Sequence, residues 1–453
     1  MPSLSPAHLA EWTQGTWTCE PHQLIQSVCQ DTRHIQSGAL YVALHGERVD
    51  GHDYFPQARA AGAVASLGLK GRGGAELPCL EVEDVGQALM AISKGYREVL
   101  TPRKMIGVTG SAGKTTIKDL ITSMLSQAGP TCSTKGNWNN FVGLPLSLLA
   151  MEDSDVFGVF ELGMNQVGEI AALTEILKPE VGLISSIGEA HLEHLGTVSA
   201  IAEEKGSLLA RLPVDGVAIL DRDTPWYPAL RGRCLCGCLS VSLKEDADYR
   251  GTLREEGLQI DDAQREERFV VPLPLPGDHM VTNVLQAVAV ARECGLSAEE
   301  IIAGLRAYTS APMRWQCGDL REWSFINDAY NANPLSMRKS IETFASLVHE
   351  GEKWLVLGGM GELGEEAQAL HGQLGHELDK HGFDGVVLVG EKAAWIGEGI
   401  LQTRTLYANT HAQAAETIVS DVPSGAHLLL KGSRSEAVEK ILQILEKPKE
   451  KIL

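Results

Sequence analysis

The stretch Met105-Ile-Gly-Val-Thr-Gly-Ser-Ala-Gly-Lys-Thr-Thr116 decides how the centre of this chain folds. Its apolar start predicts a short buried strand, and a glycine-bearing loop then leads into an amphipathic helix from Lys114 to about Ser126. Backbone N–H groups and the positive end of the helix dipole would face a phosphate, and Lys114 adds a formal charge. A glycine-rich turn with a surface lysine is the alternative interpretation.

The loop departs from the general P-loop pattern because Val108 stands where the first glycine is expected. Thr115 would offer its hydroxyl to Mg²⁺, as the Ser/Thr of a P-loop does. We therefore predict a variant P-loop that binds a nucleoside triphosphate. The residues expected at the nucleotide are Thr109, Gly110, Ser111, Ala112, Gly113, Lys114, Thr115 and Thr116.

Composition is that of an ordinary soluble globular protein, with 44% apolar and 22% charged residues. The length of 453 residues predicts two to four domains. A net charge of −20 disfavours nonspecific nucleic-acid binding, and local positive features must attract any anionic substrate. The sequence shows neither a secretory signal nor an apolar run long enough to span a bilayer. We expect a cytoplasmic protein, a monomer without nucleic-acid or membrane partners.

Nine cysteines in so long a chain do not suggest a disulfide scaffold. The cluster Cys234-Leu-Cys236-Gly-Cys238 permits a metal site, but no second Cys/His pair follows at zinc spacing. Alternate residues of a strand share one face, so buried apolar thiols are the favoured interpretation.

The alternation of apolar runs and helical stretches predicts an α/β fold with mostly parallel sheets. Strands are expected at 156–162, 181–187 and 216–220 in a central unit, where 239–275 reads as a small β excursion. A second α/β unit has expected strands at 323–326, 354–357, 386–389 and 427–430. The proline-bearing junction 101–104 suggests a boundary, which gives domains 1–102, 103–311 and 312–453.

Polar residues at strand ends are the candidates for chemistry, because ligands of open α/β sheets bind there. Glu161 is placed to hold Mg²⁺ that bridges phosphates, although a surface glutamate would look the same. His191 or His194 could be a metal ligand, although a lone loop histidine is more often structural. Lys205 by itself reads as a solvated helix lysine.

Two further polar segments follow predicted strands of the last unit. In Asn327-Asp-Ala-Tyr-Asn-Ala-Asn-Pro334, Asp and Asn could bind metal or ribose, and Tyr330 could lie against a base. Lys431-Gly-Ser-Arg434 reads as an anion or carboxylate site. A rival hypothesis is a dinucleotide-dependent oxidoreductase, because Gly359-Met-Gly-Glu-Leu-Gly364 fits G-x-G-x-x-G. Its acidic residue, Glu391, lies further along than that spacing prefers.

In order along nearly the whole chain, these segments resemble the Mur ligase family. Beside the P-loop, Glu161-Leu-Gly-Met-Asn165 and the two C-terminal segments, the resemblance rests on a further group of motifs. These are Asp31-Thr-Arg33, Ala43-Leu-His-Gly-Glu47, Asp50-Gly-His52, Gly136-Asn-Trp-Asn-Asn140 and Gly143-Leu-Pro-Leu146.

The resemblance implies three domains: a small N-terminal α/β domain for a UDP-substrate, a central P-loop ATPase domain, and a C-terminal Rossmann-like domain. It implies ATP and Mg²⁺ at two sites. It also implies amide formation between UDP-N-acetylmuramoyl-tripeptide and D-alanyl-D-alanine through an acyl phosphate. A regulatory P-loop module that hydrolyses nucleotide without an acceptor is the second rival, and it leaves the N-terminal motifs unexplained.

Roles for individual residues follow from the same resemblance. It implies a carbamylated Lys205 that helps hold metal with Thr115, Glu161 and His191, and it makes Lys114, Lys205, His191 and Asp328 catalytic. Further ATP contacts would be Asn283, Arg314, Asp328, Tyr330 and Asn331. Substrate contacts would be Asp31, Thr32, Arg33, Gly46, Asp50, His52, Asn137, Asn139, Asn140, Asn333, Lys431, Ser433 and Arg434. The chain departs from the family pattern at Met280, Met313 and Gly359.

Overall fold

The computed structural model of the protein describes residues 4–46, 48–74, 77–348 and 350–447. It contains three sheets, each built from its own stretch of chain and covered by helices. This architecture confirms the predicted three-part α/β fold. The expected boundaries after residues 102 and 311 fall between the sheets, and we propose them as the domain limits. No helix within the described part of the chain combines the length and apolarity that a membrane span needs.

The first sheet has five strands in the order β1-β5-β4-β3-β2, parallel except for the β1–β5 pair. Its strands β3 and β4 are almost wholly buried, which fits their continuous apolar sequence. The elements are α1 (Pro6–Thr13), β1 (Thr16–Trp17), β2 (Ser27–Cys29), β3 (Ala39–Val42), α2 (Phe55–Ala60), β4 (Ala63–Leu69), β5 (Cys79–Val82) and α3 (Val85–Val99).

Helix α3 joins the first unit to the second. The Asp84 carboxylate caps its first turn by accepting from the N–H of Gln87. At its other end, the Tyr96 hydroxyl donates to the Met151 carbonyl at 2.7 Å. The buried Arg97 guanidinium donates to the Leu177 carbonyl at 2.8 Å, at the C-terminus of a helix of the central unit. Because these contacts are buried, the first two units form one packed body.

The central sheet has nine strands in the order β14-β13-β12-β11-β10-β9-β6-β8-β7. The pairs from β7 to β12 are parallel, and β12–β14 continue the sheet as antiparallel strands, which confirms the β excursion expected at 239–275. Its elements are β6 (Lys104–Thr109), α4 (Lys114–Leu125), β7 (Thr131–Ser133), α5 (Gly143–Leu148), β8 (Phe157–Glu161), α6 (Glu169–Leu177), β9 (Val181–Ile184), α7 (Leu192–Leu195), α8 (Val198–Gly206), β10 (Val217–Asp221), α9 (Tyr227–Arg231), β11 (Gly237–Ser242), β12 (Tyr249–Arg254), β13 (Gly257–Asp262), β14 (Glu267–Val271), α10 (Asp278–Glu293) and α11 (Ala298–Ala307).

Strand β6 is the point at which the order of this sheet reverses, because β8 pairs with one side of it and β9 with the other. Ligands of open α/β sheets bind in the crevice at such a point. Register places Val108 beside Glu161, so the P-loop and that carboxylate leave neighbouring strand ends together. The topology therefore positions a site at the start of α4.

The third sheet has six strands in the order β15-β16-β20-β17-β18-β19, all parallel except for the β15–β16 hairpin. Its elements are β15 (Gln316–Leu320), β16 (Trp323–Asn327), α12 (Pro334–Ser346), β17 (Lys353–Gly358), α13 (Ala367–Leu378), β18 (Gly385–Val389), α14 (Glu391–Gly397), β19 (Arg404–Ala408), α15 (His411–Asp421), β20 (His427–Lys431) and α16 (Lys440–Leu445). The carboxyl ends of the adjacent strands β16, β20 and β17 carry the two polar segments and the glycine-rich loop singled out in the sequence.

Replacing Arg97 with alanine should destabilise the packing of the first unit on the second. The substitution leaves buried carbonyls without their donor, so we expect a loss of about 2 kcal/mol. The urea midpoint of unfolding, followed by tryptophan fluorescence, measures this loss. Lys94→Ala changes an exposed residue of the same helix and should stay within about 0.5 kcal/mol of wild type. Equal midpoints for both variants would contradict the role of Arg97.

Candidate active site

The P-loop is shaped by glycines that no other residue could replace without strain. Gly110 has φ +151°, and a Cβ there would lie 1.9 Å from the Ser185 hydroxyl oxygen. Gly113 has φ +83° and caps α4, and a Cβ there would lie 3.0 Å from the Asn283 amide oxygen. The Lys114 ammonium donates to the Gly110 carbonyl at 2.9 Å, and burial lowers the pKa of Lys114. The loop thus places a cation and the free N–H groups of a helix start together.

Thr115 links three segments of the chain at this point. Its hydroxyl donates to the Glu161 carboxylate at 2.7 Å and accepts from the Arg314 guanidinium at 2.8 Å. The other Glu161 oxygen accepts from the Asn139 amide at 2.7 Å. The Arg314 guanidinium also lies 4.2 Å from the centre of the Tyr330 ring, within range of a cation–π contact.

Carboxylate and hydroxyl oxygens are ligands that Mg²⁺ accepts, with phosphates and water completing its shell. Thr115 and Glu161 fit that pattern beside the P-loop. Within the described ranges, no three His, Cys, Asp or Glu side chains form a complete metal cage. A metal held by Thr115 and Glu161 would complete its shell with phosphate and water oxygens.

Asp328 and Lys431 form a buried ion pair at the ends of β16 and β20. The Lys431 ammonium donates to Asp328 Oδ2 at 2.6 Å and also reaches the Asn331 carbonyl at 3.3 Å. The same carboxylate accepts from the Ser340 hydroxyl at 2.5 Å and from the N–H of Trp315 at 3.2 Å. The Lys431 ammonium is therefore already paired with the Asp328 carboxylate. The sequence had suggested a lysine that is free to bind an anionic ligand.

Loops of the C-terminal unit touch the P-loop side of the central unit. The Asn333 amide caps α12 and also donates to the Ser111 carbonyl at 3.1 Å. Glu362 Oε2 lies 2.5 Å from His191 Nδ1, and this pairing lowers the pKa of Glu362. The Glu362 carbonyl accepts from the N–H of Glu193 at 3.1 Å, and Gly364 packs against Glu193. The loop that resembles a dinucleotide fingerprint therefore serves as a contact between units.

A cavity of about 620 Å³ lies between these two units. The predicted site residues that line it are Ser111, Ala112, Gly113, Lys114, Thr115, Thr116, Asn137, Asn139, Asn140, Glu161, His191, Asn283, Arg314, Asp328, Tyr330, Asn331, Asn333 and Lys431. Residues from distant parts of the chain thus converge on one volume of the size of a small-molecule site.

Other predicted residues lie outside the cavity lining. Thr109 is buried, and its hydroxyl donates to the Leu162 carbonyl. Gly110 and Lys205 are not among the residues that line the cavity. Ser433 is buried, with its N–H on the Gly359 carbonyl. Arg434 is exposed and pairs with Glu439 at 2.9 Å.

Lys205 is a buried lysine that does not line the cavity. It is 1% exposed on α8, and among described residues it makes no ion pair. Burial, and next the charge of Lys114, lower the pKa of Lys205 well below that of an ordinary lysine. The amine is thus held in an environment that favours its neutral, nucleophilic form.

The N-terminal residues form a separate group in the first unit. Asp31 caps a short helical turn and pairs with Arg33, which holds the pKa of Asp31 well below its usual range. Thr32 lies in that turn. The N–H of Gly46 donates to the Val49 carbonyl at 2.9 Å. Glu47 lies outside the described residues.

His52 and Asp50 already bind each other. His52 Nδ1 lies 2.6 Å from Asp50 Oδ1, and His52 Nε2 accepts from the N–H of Leu69 at 2.9 Å. Asp50 also accepts from Arg72 at 2.9 Å. In this structure both ring nitrogens of His52 are engaged in contacts that stabilise the loop. The substrate roles of the N-terminal group stay predictions.

Sequence reasoning missed several residues that line the cavity, among them Ser186, Lys339, Trp315 and Glu362. Ser186 follows the end of β9, so the strand-end rule could have found it. Lys339 lies on α12 two turns after Asn333, on a helix whose start was visible as Asn-Pro. His279 also lines the cavity, and burial lowers the pKa of His279 to about 4.

The structure shows the environment of each residue at which the chain departs from the family pattern. Met280 is buried and lines the cavity. Met313 has φ +60°, and its sulfur accepts from Arg434 at 3.4 Å. A Cβ at Gly359 would lie 2.5 Å from that of Lys392, so the aspartate frequent there in the family would need Lys392 to move.

Comparison with known proteins gives these features a context. Family models match in order: the Mur ligase family catalytic domain at residues 24–97, the Mur ligase middle domain at 108–291, and the Mur ligase glutamate ligase domain at 313–434. A UDP-N-acetylmuramoyl-tripeptide–D-alanyl-D-alanine ligase of Escherichia coli K12 is 33% identical over 436 residues, which cover 93% of this chain and 94% of that protein. The chain belongs to the Mur ligase family.

Other members of the Mur ligase family agree over the same length. The ligase of the same name from Bacillus subtilis 168 is 33% identical, covering 97% of this chain and 98% of that protein. A MurF crystal structure from Acinetobacter baumannii superposes with a TM-score of 0.90, 32% identity and coverage of 99% and 100%. MurF ligase from Thermotoga maritima in complex with ADP gives a TM-score of 0.81, 26% identity and coverage of 95% and 99%.

Replacing Asp328 with alanine should destabilise the C-terminal unit in addition to any effect on activity. It would leave the Lys431 ammonium buried without a counter-charge, which costs about 3 kcal/mol. Differential scanning fluorimetry should show a lower melting temperature for this variant. Asp319→Ala removes an exposed carboxylate from β15 of the same sheet and should melt as the wild type does. If Asp328→Ala melts with the control, the ion pair is not the stabilising contact we describe.

Proposed function

We propose that this chain is an ATP-dependent amide ligase that adds D-alanyl-D-alanine to UDP-N-acetylmuramoyl-tripeptide. The products are UDP-N-acetylmuramoyl-pentapeptide, ADP and phosphate, and the reaction serves peptidoglycan precursor synthesis. The observation that carries the proposal is the shared cavity, lined by the P-loop, the Glu161 strand end and the 328–333 segment. It occurs in a chain that aligns over more than nine-tenths of its length with ligases of that name.

The first step would bring two anions together, the tripeptide carboxylate and the γ-phosphate of ATP. A carboxylate is a poor acceptor for an amine, and transfer of the phosphoryl group would convert it into a reactive acyl phosphate. Arg314 donates to Thr115 and Lys114 donates to the Gly110 carbonyl at the start of α4, where both cations would stabilise the charge that develops on the transferred group. This local positive charge would offset the repulsion expected from a protein of net charge −20.

Thr115, Glu161 and His191 are the residues that would hold Mg²⁺. Magnesium, when bound there, would supply charge neutralisation at the phosphate oxygens. The Asn139–Glu161–Thr115 hydrogen bonds orient both oxygen donors before any ligand arrives. Preorganisation of this kind reduces the cost of assembling the site during the reaction.

Carbamylation of Lys205 is the finer part of the proposal. The amine would add to the carbon of CO₂ and lose a proton, which converts a buried cation into a carboxylate-like anion. Its burial and the neighbouring charge of Lys114 both favour the neutral amine that this addition requires. The resulting anion would be a ligand for a second Mg²⁺.

In the second step the amine of D-alanyl-D-alanine would attack the acyl carbon, and phosphate would leave. Contacts of Asn333 with Ser111 and of Glu362 with His191 hold the C-terminal unit against the P-loop side. That arrangement would exclude water, which competes with the amine for the acyl phosphate. A dinucleotide oxidoreductase has less support, because the 359–364 loop serves as a contact between units.

Phosphate release is the measurement that tests this function. We expect release from ATP only when UDP-N-acetylmuramoyl-tripeptide and D-alanyl-D-alanine are both present, together with a mass increase of the nucleotide sugar by one dipeptide unit. Tripeptides ending in lysine and in diaminopimelate should both be assayed, and Lys114→Ala is the inactive control. Turnover with neither acceptor would instead support a regulatory nucleotide-hydrolysing module and contradict the ligase.

Lys205→Ala should abolish ligation and recover part of its activity when short carboxylic acids are added, because such an acid can replace the missing carbamate. Lys114→Ala should lose about two to three orders of magnitude in kcat, since it removes a charge from the phosphate site. The same acids should not restore Lys114→Ala, whose missing group is a cation. A wild-type rate for Lys205→Ala, or equal rescue of both variants, would refute the carbamate role.

A further inference from the structure

The cysteines at 234–238 and the loop after β9 are two features that the proposed chemistry leaves unused. The three thiols do not share one strand face, as the sequence had suggested, because β11 begins at Gly237 and only Cys238 belongs to it. Among the described residues, no three potential ligands are arranged to hold a metal ion there. The loop after β9, in contrast, contacts both the P-loop and the C-terminal unit.

The loop between β9 and α7, residues 185–191, is hydrogen-bonded to the P-loop, and we call it the connecting loop. The N–H of Ser111 donates to the Ser186 carbonyl at 2.8 Å, and the N–H of Ala112 donates to the Ser186 hydroxyl at 3.0 Å. The Ser111 hydroxyl donates to the Gly188 carbonyl at 3.0 Å. A displacement of the connecting loop would therefore disturb the backbone that is expected to meet a phosphate.

The connecting loop also contacts α12 of the C-terminal unit. The Arg338 guanidinium donates to the Glu189 carboxylate at 2.9 Å, which places an ion pair across the two units. One turn earlier on α12, Leu335 packs against Gly188, where a Cβ would lie 2.8 Å from the Leu335 side chain. Because residues three apart share one face of a helix, one face of α12 contributes an apolar contact and a charged contact.

A second carboxylate lies near Arg338, but it belongs to the same unit. Arg338 Nε lies 4.0 Å from Glu377 Oε2 on α13, whereas the contact with Glu189 is 2.9 Å long. The side chains of Arg338 and Glu189 are 26% and 27% exposed, so solvent screens their attraction only in part. Of the two contacts, the one with Glu189 crosses between the units, and the one with Glu377 provides a matched comparison.

The connecting loop ends at His191, one of the residues proposed to hold Mg²⁺. His191 has φ +58°, in the left-handed region that is unfavourable for a residue other than glycine. Such a conformation persists where surrounding contacts fix it. Two residues earlier, Glu189 is paired with Arg338. Two residues later, the N–H of Glu193 donates to the Glu362 carbonyl at 3.1 Å, so the C-terminal unit holds the chain on both sides of His191.

We propose that Arg338 is a positioning residue, because its ion pair with Glu189 docks α12 on the connecting loop. The docked loop keeps the P-loop and His191 in the arrangement that the reaction needs. Arg338 does not line the cavity, so it acts through Glu189 and the loop. The expected kinetic effect rests on the proposed function, whereas the docking of the two units does not.

Reversal of the two charges tests the proposal in the full-length protein. Arg338→Glu would bring two carboxylates together, so we expect a larger radius of gyration in small-angle X-ray scattering and a kcat lower by about tenfold or more. Adding Glu189→Arg to this variant should reverse both effects, because the pair is rebuilt with opposite polarity. Arg338→Lys keeps the charge and should retain most of the activity.

Glu377→Gln is the matched control, since it removes the carboxylate that Arg338 approaches within its own unit. Its scattering and kcat should equal those of the wild type. The proposal is overturned if Arg338→Glu leaves the radius of gyration unchanged, or if Glu189→Arg does not reverse its effects. If Arg338→Glu does not fold, Glu189→Gln breaks the same pair from the loop, and an unchanged radius for that variant also overturns the proposal.

The two measurements separate this proposal from the proposed function. A wild-type protein without ligase activity would contradict the function, and scattering would still decide whether the ion pair docks the units. An active wild type whose charge-reversed variant scatters and ligates normally would contradict only the role of Arg338.

Discussion

The hydroxyl of Thr115 is the point on which the proposed site depends, because it connects three parts of the chain that are far apart in sequence. It donates to Glu161 from the neighbouring strand and accepts from Arg314 in the connection to the C-terminal unit. This geometry is possible only because β6 and β8 are adjacent and in register at Val108 and Glu161. The order of strands in the central sheet thus fixes the side chains that would meet a phosphate.

Charge is distributed unevenly in this acidic protein. Lys114 and Lys205 are enclosed near the P-loop, and Lys431 is buried against Asp328, whereas carboxylates dominate the composition. Buried cations are costly unless paired, so their concentration around one cavity is informative. The charge of Lys431 is balanced by the Asp328 carboxylate. Lys205 makes no ion pair among the described residues, and a carbamate would give it negative charge in place of positive.

Local patterns in the sequence predicted the P-loop and the strand that ends at Glu161, because each depends on neighbours in the chain. Glu362 and Lys339 were missed because their importance arises from packing between units, which no local pattern records. In the N-terminal motif, the sequence marked Asp50 and His52 as candidate site residues. It did not show that the two side chains contact each other. The antiparallel continuation of the central sheet was expected as β structure, yet its attachment to the parallel strands through the β11–β12 pair was not.

Helix α3 has a consequence for how the molecule moves. Its buried contacts with the carbonyls of Met151 and Leu177 tie the first hundred residues to the nucleotide-binding sheet. The connection to the last third of the chain is different, since Met313 and Trp315 there adopt positive φ angles of 60° and 53°. Opening for exchange of substrates would then move the last third of the chain relative to the first two units, which would stay together.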